Sequence, residues 1–276
     1  MQVALQKAEV LIEAAKFIKQ FEGKIIVIKY GGNAMESQPL KDSVFEDISV
    51  LVQLGLQIVI IHGGGPRIDE ELQEQGIKKQ FIHGLRVTDD ATIKIVTRVL
   101  ADVNQECVEG LAKIGVRAQD CTKGTLVTKV KSSELGHVGD IVEVGTRLLL
   151  KTLAYGVIPV VSSLGEDYKG QLNNINADTA ATKIAVALKA EKLTILTDVD
   201  NVLDSNHQRV PHLNIKQTEE WIAAGTIVGG MIPKVRACAE AAAHGVEKAH
   251  LLNGTIPRAL LLEIYTDEGI GTEIVK

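Results

Sequence analysis

Cysteine is rare in this sequence, and nothing in its spacing indicates a cross-linked fold. The 276 residues include three cysteines, Cys107, Cys121 and Cys238, with no C-x-x-C pair among them. An odd number of widely spaced cysteines argues against a disulfide framework or a cysteine-based zinc site, and favours reduced thiols in the cytoplasm. A chain of this length can bury roughly three quarters of its unfolded surface, so its core needs no such support.

The sequence also lacks a strong excess of basic or acidic residues, and it has no apolar stretch long enough to cross a membrane. The formal net charge is −5, from 30 basic and 35 acidic residues, which gives neither the basic footprint of a nucleic-acid-binding protein nor a polybasic membrane patch. Apolar runs such as Ile25–Ile28 and Ile58–Ile61 are far shorter than the roughly 20 residues that span a bilayer. Acidic residues interrupt the apolar stretch at 1–17, which argues against a secretory signal. We therefore predict a cytoplasmic protein that binds neither nucleic acid nor membrane.

Strand-like and helix-like segments alternate along most of the chain. Strand-like segments lie at Ile25–Tyr30, Gln57–Ile61, Val157–Val161, Lys192–Thr197 and Ala249–Leu252. The first is so continuous in Ile and Val that it reads as a strand buried on both faces. Segments with apolar residues at helical spacing lie at Pro39–Leu54, Pro66–Gly76, Asp90–Ile114, Arg147–Tyr155, Asp178–Leu188, Met231–His244 and Pro257–Ile264. This alternation predicts an α/β fold, a three-layer αβα sandwich with a central, mainly parallel sheet and two lobes. The polar stretch Gly165–Gln171 is our candidate boundary between the halves.

Glycine is concentrated in three turns that follow strands or open helices: Gly31-Gly32, Gly63-Gly64-Gly65 and Gly229-Gly230. Glycine lets backbone N–H groups approach an anion, and a helix N-terminus adds partial positive charge. Each turn alone is equally consistent with a tight strand-to-helix connection, but together with nearby lysines they indicate a phosphate-handling cleft. The sequence has no G-x-x-x-x-G-K-[ST], no G-x-G-x-x-G after the first strand and no protein-kinase motifs. Any phosphoryl chemistry must therefore use another architecture.

Two lysines and an Asx-rich helix start are the strongest candidates for function. Lys29 ends an apolar strand, which predicts an ammonium group in the crevice at the carboxyl end of the sheet, although a strand-end lysine can also simply reach solvent. Lys234 lies in the first turn of a helix, where a cation opposes the dipole, so stability alone does not explain it. Three polar side chains in Asn174–Asp178 exceed the one that a helix cap needs. We interpret His62 and His137 as hydrogen-bonded structural histidines.

These residues belong to a larger set of motifs that resembles the amino-acid kinase family. The motifs are Lys29-Tyr30-Gly31-Gly32, His62–Pro66, His83–Asp89, Glu134–Gly139, Asn174–Asp178 and Gly229–Lys234. The resemblance runs from about Lys24 to the C-terminus. It is most specific, through Gly84–Thr88 and Asn174–Asp178, for members that phosphorylate N-acetyl-L-glutamate in arginine biosynthesis.

The resemblance implies an ATP-dependent transferase that makes an acyl phosphate on the side-chain carboxylate of N-acetyl-L-glutamate. It implies that Lys29 and Lys234 stabilise the transferring phosphoryl group from opposite lobes, and that Asp178 holds both lysines. The remaining roles implied are N–H donation to phosphoryl oxygens by Gly31, Gly32 and Gly64, an acceptor pocket of Gly64, Gly65, Arg86 and Asn174, and a nucleotide wall of Asp198, Val199, Asn201, Leu203, Thr226, Ile227 and Val228. Mg²⁺ is expected to arrive on the nucleotide phosphates rather than in a protein cage.

The resemblance also implies an organisation and a mode of regulation. Residues 1–22 would form an amphipathic oligomerisation helix, 24–188 the acetylglutamate-binding lobe, and 189–276 the nucleotide-binding lobe with a C-terminal regulatory segment. In arginine-inhibited members such a helix joins dimers into a hexamer, and the pattern at Leu262–Thr272 accompanies allosteric inhibition. Glu263 would then bind the arginine guanidinium, with His250 and Gly269 lining the site. Some relatives also bind a nitrogen-signalling protein.

Several alternatives remain open. The acceptor could instead be acetyl-aminoadipate, glutamate, aspartate or carbamate, although Arg86 and Asn174 favour an acylated α-amino acid. The chain could be a catalytically silent arginine-sensing module, and its N-terminal helix could simply pack on its own subunit. Asn201 stands where the family usually has glycine, and the segment Ala118–Gly124 is shorter than its usual counterpart.

Overall fold

Helices and strands alternate through this computed structural model, which describes residues 2–35, 37–198, 201–206 and 208–276. The helices are α1 (Gln2–Phe21), α2 (Gln38–Gln53), α3 (Gly65–Glu74), α4 (Asp90–Lys113), α5 (Thr146–Ala154), α6 (Ala177–Leu188), α7 (Ile215–Ala223), α8 (Met231–Ala243) and α9 (Ala259–Tyr265). The strands are β1 (Ile25–Tyr30), β2 (Gln57–His62), β3 (Phe81–Ile82), β4 (Leu85–Arg86), β5 (Ala118–Asp120), β6 (Leu126–Val130), β7 (Gly139–Val144), β8 (Ile158–Ser162), β9 (Leu164–Glu166), β10 (Leu172–Asn174), β11 (Lys192–Thr197), β12 (His212–Asn214), β13 (Lys248–Asn253) and β14 (Thr272–Val275).

A central eight-stranded sheet organises the chain in the order β12-β14-β13-β11-β1-β2-β8-β5. Its neighbouring strands are parallel except for the antiparallel pair β13–β14, which confirms the predicted mainly parallel sheet. Strands from residues 57–162 lie on one side of β1, and strands from residue 192 onward lie on the other. The strand order therefore reverses at β1, and open α/β sheets form their ligand crevice at the carboxyl end of such a strand.

The hydrophobic core lies on both faces of this sheet. Alternate residues of β1 point to opposite faces: Ile26 and Ile28 pack in a cluster with residues of α2, α4 and α9, whereas Val27 packs with residues of α6 and α8. All three side chains are fully buried, as expected for a strand covered by helices on both sides. This arrangement confirms the three layers. By the same alternation, Lys29 lies on the face that α6 and α8 cover.

A smaller sheet, in the order β10-β9-β6-β7, lies beside the central one. Within it, β6 and β7 form an antiparallel pair. The prediction of a boundary at Gly165–Gln171 is wrong, because this stretch connects the antiparallel strands β9 and β10. Asp167 closes the turn by accepting backbone hydrogen bonds from Lys169 and Gln171. Tight side-chain capping of this kind explains why a polar, glycine-containing stretch is an ordered turn rather than a linker.

The N-terminal helix α1 contacts the C-terminal segment of the chain. Helix α1 ends at Phe21, two residues before Gly23, which has a left-handed φ of 73° and so suits the position after a helix. An ion pair of 2.6 Å joins Lys16 to Asp267 and holds α1 against the C-terminal segment. None of the helices among the described residues has the length and apolarity needed to cross a membrane.

Candidate active site

Two lysines meet one buried aspartate at the carboxyl end of β1. Asp178 lies in the first turn of α6, and its Oδ1 is 3.1 Å from the Nζ of Lys29, while its Oδ2 is 3.6 Å from the Nζ of Lys234. Lys29 is only 7% exposed. Burial opposes ionisation of Asp178, but the two ammonium groups outweigh it and hold the pKa of this carboxyl below its usual range. The structure therefore brings together three predicted residues that are up to 205 positions apart.

The turn after β1 holds the Lys29 ammonium in place. A Cβ on Gly31 would lie 2.8 Å from the Nζ of Lys29, so any larger residue there would displace the ammonium group from its present position. Gly32 has a left-handed φ of 66° and lies against Asp198, a conformation that glycine adopts without strain. The turn thus brings bare backbone close to the lysine.

A cavity of about 270 Å³ opens over this cluster. Its charged lining side chains are Lys29, Arg86, Lys234 and Asp178, three cations against one carboxylate. The other predicted residues that line it are Gly31, Gly32, Gly64, Gly65 and Asn174. The N-termini of α3 and α6 also border the cavity, and the partial positive charge of a helix start favours an anion. The cavity is therefore built for a negatively charged occupant.

Arg86 reaches the cavity from β4. Its Nη2 forms an ion pair of 2.5 Å with Asp69 Oδ1, and its guanidinium lies 4.9 Å from the centre of the Phe81 ring. The other terminal nitrogen, Nη1, is buried and has no hydrogen-bond partner among the residues described. A buried guanidinium nitrogen without a partner favours an acceptor supplied by a ligand.

Asn174 is held on the same side of the cavity through Thr88. Its Nδ2 donates to Thr88 Oγ1 at 3.2 Å, and that hydroxyl donates to the backbone oxygen of Arg86 at 3.0 Å. Thr88 is fully buried. This chain of hydrogen bonds fixes the amide and the arginine relative to each other, so two of the predicted acceptor residues form one unit.

A second cavity, of about 350 Å³, adjoins the first at Lys234. It is lined by the predicted nucleotide-wall residues Asp198, Asn201, Leu203, Thr226, Ile227 and Val228. Val199, which we also predicted for this wall, lies outside the described residues. Since Lys234 lines both cavities, a molecule in the second can place one end beside Lys234 and Asp178.

A third cavity, of about 250 Å³, lies at the other end of the central sheet, between the C-terminal segment and α1. It is lined by His250, Glu263 and Gly269, together with Phe17 and Phe21 of α1. His250 donates through Nδ1 to Glu263, and the backbone N–H groups of residues 270 and 271 donate to the same carboxylate at 2.7 Å each. Burial opposes ionisation of Glu263, but these donors outweigh it and lower its pKa to about 2.

The two histidines that we interpreted as structural are hydrogen-bonded. His62 is fully buried, with Nε2 3.1 Å from Ser162 Oγ, and burial lowers its pKa to about 4. His137 lies 2.6 Å from Asp90 and also contacts the side chain of Gln171. Neither is among the residues that line the cavity over Lys29.

The residues that hold Arg86 and Asn174 in place were given no role in the sequence analysis; they are Asp69, Phe81 and Thr88. Asp69 and Phe81 contact the Arg86 guanidinium, and Thr88 bonds Asn174. A buried arginine requires a counter-charge, which was a usable signal. The sequence offered many candidate carboxylates, however, and only the folded structure selects one 17 residues away from Arg86.

The described residues hold no group of three or more His, Cys, Asp or Glu side chains arranged to bind a metal ion.

Known proteins share both the sequence and the fold of this chain. The model of the Amino acid kinase family matches residues 24–253. The acetylglutamate kinase of Halothermothrix orenii is 46% identical over 288 residues, covering 100% of this chain and 99% of the relative. The acetylglutamate kinase of Methanocaldococcus jannaschii is 45% identical over 291 residues, covering 99% of this chain and 97% of the relative.

Solved structures extend the comparison. N-acetylglutamate synthase from Neisseria gonorrhoeae, complexed with coenzyme A and N-acetyl-glutamate, superimposes with a TM-score of 0.90 at 27% identity. The alignment covers 98% of this chain but 63% of the synthase, so the similarity concerns part of that protein. Carbamate kinase from Giardia lamblia, bound to AMP-PNP, gives a TM-score of 0.69 at 18% identity over 92% of this chain and 99% of that one. At that identity the likeness shows the fold alone.

Proposed function

This chain belongs to the amino acid kinase family, and we propose that it transfers the γ-phosphoryl group of ATP to the side-chain carboxylate of N-acetyl-L-glutamate, giving an acyl phosphate. The observation that carries this proposal is one cavity lined by Lys29, Lys234 and Arg86, in which Asp178 pairs with both lysines. Relatives 42–46% identical over almost their whole length are acetylglutamate kinases.

The chemistry asks for positioning and charge neutralisation rather than for a base. The side-chain carboxylate of the acceptor is ionised at neutral pH and attacks the γ-phosphorus directly. As the bond to the β–γ bridging oxygen breaks, charge spreads over the transferring oxygens and the leaving ADP. Lys29 and Lys234 would stabilise this charge, and Asp178 would keep both ammonium groups at fixed positions. Buried, neutral His62 has no role in this step.

The acceptor would lie in the cavity of about 270 Å³. Arg86 presents a free, buried nitrogen that suits the α-carboxylate of the acceptor, because arginine binds carboxylates through paired N–H groups. Asn174 offers an amide for the N-acyl group. Gly64 and Gly65, at the start of α3, leave space for the ligand beside backbone N–H groups. These contacts favour an acylated α-amino acid over carbamate, which has no such groups.

ATP would occupy the cavity lined by Asp198, Asn201, Leu203 and Thr226–Val228, with its phosphates directed at Lys234. Kinases use Mg²⁺, which neutralises phosphate charge when it is bound. Because the described residues hold no cluster of three or more ligating side chains, the ion would take its ligands mainly from phosphate oxygens and water. Residues 24–188 would form the acceptor lobe and 189–276 the nucleotide lobe, which agrees with the reversal of strand order at β1. We assign the activity to the cytoplasm, where ATP is available.

We extend the proposal to feedback inhibition by L-arginine at the third cavity. Four carboxylates line it against two ammonium groups: those of Glu263, Asp267, Glu268 and Glu273 against those of Lys192 and Lys248. The excess of negative charge suits a guanidinium. N-acetylglutamate synthase from Neisseria gonorrhoeae, complexed with L-arginine, superimposes on this chain with a TM-score of 0.88.

The C-terminal segment connects this cavity to the nucleotide cavity. Glu263 accepts the N–H of Ile270, and the backbone oxygen of Ile270 accepts a hydrogen bond of 2.6 Å from Asn201, a residue of the nucleotide wall. A ligand that moves this segment would therefore move Asn201, which gives two separate sites a physical connection. Asn201, which stands at a position usually held by glycine, would serve this connection.

Self-association would use α1. Leu5 and Ile12 on this helix are 59% and 73% exposed, and apolar residues on a solvent face favour contact with another copy of the chain. We propose a homodimer as the basic unit, and a hexamer in which α1 of one dimer packs against α1 of the next. Arginine bound beside Phe17 and Phe21 would contact the same helix.

ATP-dependent hydroxamate formation in the presence of hydroxylamine tests the reaction. We expect turnover with N-acetyl-L-glutamate, and little or none with glutamate, aspartate, carbamate or N-acetyl-L-aminoadipate. Turnover that requires another acid would reassign the acceptor, and no turnover with any acid would overturn the enzymatic proposal. L-arginine is expected to inhibit, and deletion of residues 1–20 is expected to lower both the oligomer mass and the inhibition.

A further inference from the structure

We propose that Asp69 is the positioning residue that makes Arg86 a receptor for the α-carboxylate of the acceptor, an inference that rests on the proposed function. Asp69 lies in α3 and does not line the cavity over Lys29. It therefore acts through Arg86 and not on the substrate itself.

Asp69 holds one end of the Arg86 guanidinium and so sets the direction of the other end. Arg86 is almost fully buried, and Asp69 Oδ1 holds its Nη2 at 2.5 Å. The backbone oxygen of Gly65 lies 3.5 Å from the same nitrogen, so Nη2 is occupied on the protein side. Nη1 is the nitrogen left for a ligand. A guanidinium is planar and rigid, so fixing one terminal nitrogen sets the direction in which the other one points.

Phe81 restrains the plane of the Arg86 guanidinium. The ring of Phe81 lies 4.9 Å from Arg86 Cζ, within the range of a cation–π contact. Phe81 belongs to the short β3–β4 hairpin, and the pairing of Phe81 with Arg86 places the ring beside the guanidinium. Asp69 and Phe81 together restrain rotation about both ends of the side chain, so the arginine is ordered before a ligand arrives, which reduces the entropic cost of binding.

Lys79 keeps the surroundings of Arg86 positively charged, because it shares the carboxylate of Asp69. A carboxylate beside Arg86 would weaken its attraction for an anion if the carboxylate were otherwise uncompensated. Asp69 Oδ2, however, is 2.7 Å from the Nζ of Lys79. Two cations therefore share one carboxylate, and the group of three keeps a net positive charge. Burial opposes ionisation of Asp69, but the hydrogen bond from Lys79 and the positive charges of Lys79 and Arg86 outweigh it and lower its pKa, which keeps it charged at neutral pH.

The test combines a protein change with a substrate change. We would measure kcat and KM of the full-length protein with Asp69→Asn and Asp69→Ala, using N-acetyl-L-glutamate and its α-amide, which lacks the carboxylate at issue. We expect KM for N-acetyl-L-glutamate to rise about tenfold or more, with KM for ATP within twofold of the wild type. We expect no comparable rise for the α-amide, so the preference of the enzyme for the carboxylate shrinks in both variants.

Glu71→Gln is the matched control, because Glu71 lies on the same helix and pairs with Arg98, away from the cavity. It is expected to leave both KM values unchanged. An unchanged or lower KM for N-acetyl-L-glutamate in the Asp69 variants overturns the inference, and so does an equal loss for the acid and the α-amide. Wild-type protein that fails to use N-acetyl-L-glutamate at all overturns the proposed function itself, so the two failures are distinguishable.

Discussion

The substitution Gly31→Ala tests whether the position of the Lys29 ammonium controls the rate. A Cβ at residue 31 would lie 2.8 Å from Lys29 Nζ and 3.0 Å from its Cε, whereas ordinary contacts begin at 3.4 Å. The ammonium must therefore move by about 0.6 Å to make room, which alters its 3.1 Å contact with the carboxylate of Asp178. Gly31 does not have a left-handed φ, so alanine introduces no backbone strain.

The size of the effect follows from the sensitivity of catalysis to geometry. A misplacement of about 1 Å can cost about a hundredfold in rate, so we expect kcat to fall by about 10- to 100-fold, with the free energy of unfolding nearly unchanged. The hydroxamate assay gives the rate, and urea denaturation gives the stability.

The double variant Gly31→Ala/Lys29→Ala shows whether the loss acts through the lysine. If it does, adding Gly31→Ala to Lys29→Ala costs nothing more, because the two changes are coupled. A Gly31→Ala protein with kcat within twofold of the wild type would refute the reasoning. An equal loss in both backgrounds would place the effect elsewhere, in direct obstruction of the phosphoryl group.

The other predictions concern charge, pH and packing. Asp178→Asn leaves Lys29 buried without its counter-ion, so we expect kcat to fall more than about a hundredfold and the free energy of unfolding to fall by about 3 kcal/mol. Calorimetry should still detect ADP binding at least as tight as in the wild type, and weaker ADP binding would contradict this. The pKa of Glu263 is about 2 in the folded protein against an ordinary value of 4.5, so this carboxylate contributes about 3 kcal/mol of stability that is fully present above about pH 4.5 and is lost as the pH falls through 2. In urea titrations, the stability difference between the wild type and Glu263→Gln should therefore shrink between pH 5 and pH 2.5. A constant difference would contradict this. Gly110→Ala places a Cβ 2.4 Å from the ring of buried Phe45, and the overpacking cost of about 1–3 kcal/mol outweighs the gain in helix propensity of about 1 kcal/mol. The midpoint temperature of thermal unfolding should therefore fall by a few degrees. A rise would mean that Phe45 moves freely.

Regular elements were predictable where one local signal dominated. The nearly continuous run of Ile and Val at Ile25–Tyr30 coincides with β1, because a strand buried on both faces leaves such a pattern. The strand predicted at Lys192–Thr197 coincides with β11. Helix α4 ends one residue before its predicted end at Ile114, where Gly115 adopts a left-handed φ. In each case, the residues that decide the structure lie next to one another in the chain.

Elements that depend on distant partners were not predictable in this way. The strand β14 was missed because its four residues form a strand only by pairing with β12 and β13. The stretch Gly165–Gln171 has the composition of a linker, and only the pairing of β9 with β10 makes it a turn. Short strands carry little local preference, and tertiary context decides them.

The same distinction applies to the candidate site. The lysines and glycines could be selected from the sequence because each breaks a local rule, such as a cation in the first turn of a helix. Asp69 breaks none, since an acidic residue among the other charged residues of a short helix is ordinary. Its role follows from the buried guanidinium that it holds, and that contact exists only in the folded chain.

The central claim is tested most directly by finding where the γ-phosphoryl group of ATP goes. Phosphorus NMR of the protein with ATP, Mg²⁺ and N-acetyl-L-glutamate is predicted to show an acyl phosphate forming in step with ADP, and both signals should grow far more slowly with Lys29→Ala or Lys234→Ala. Release of inorganic phosphate without an acyl phosphate, or unchanged transfer by the two lysine variants, would contradict the account.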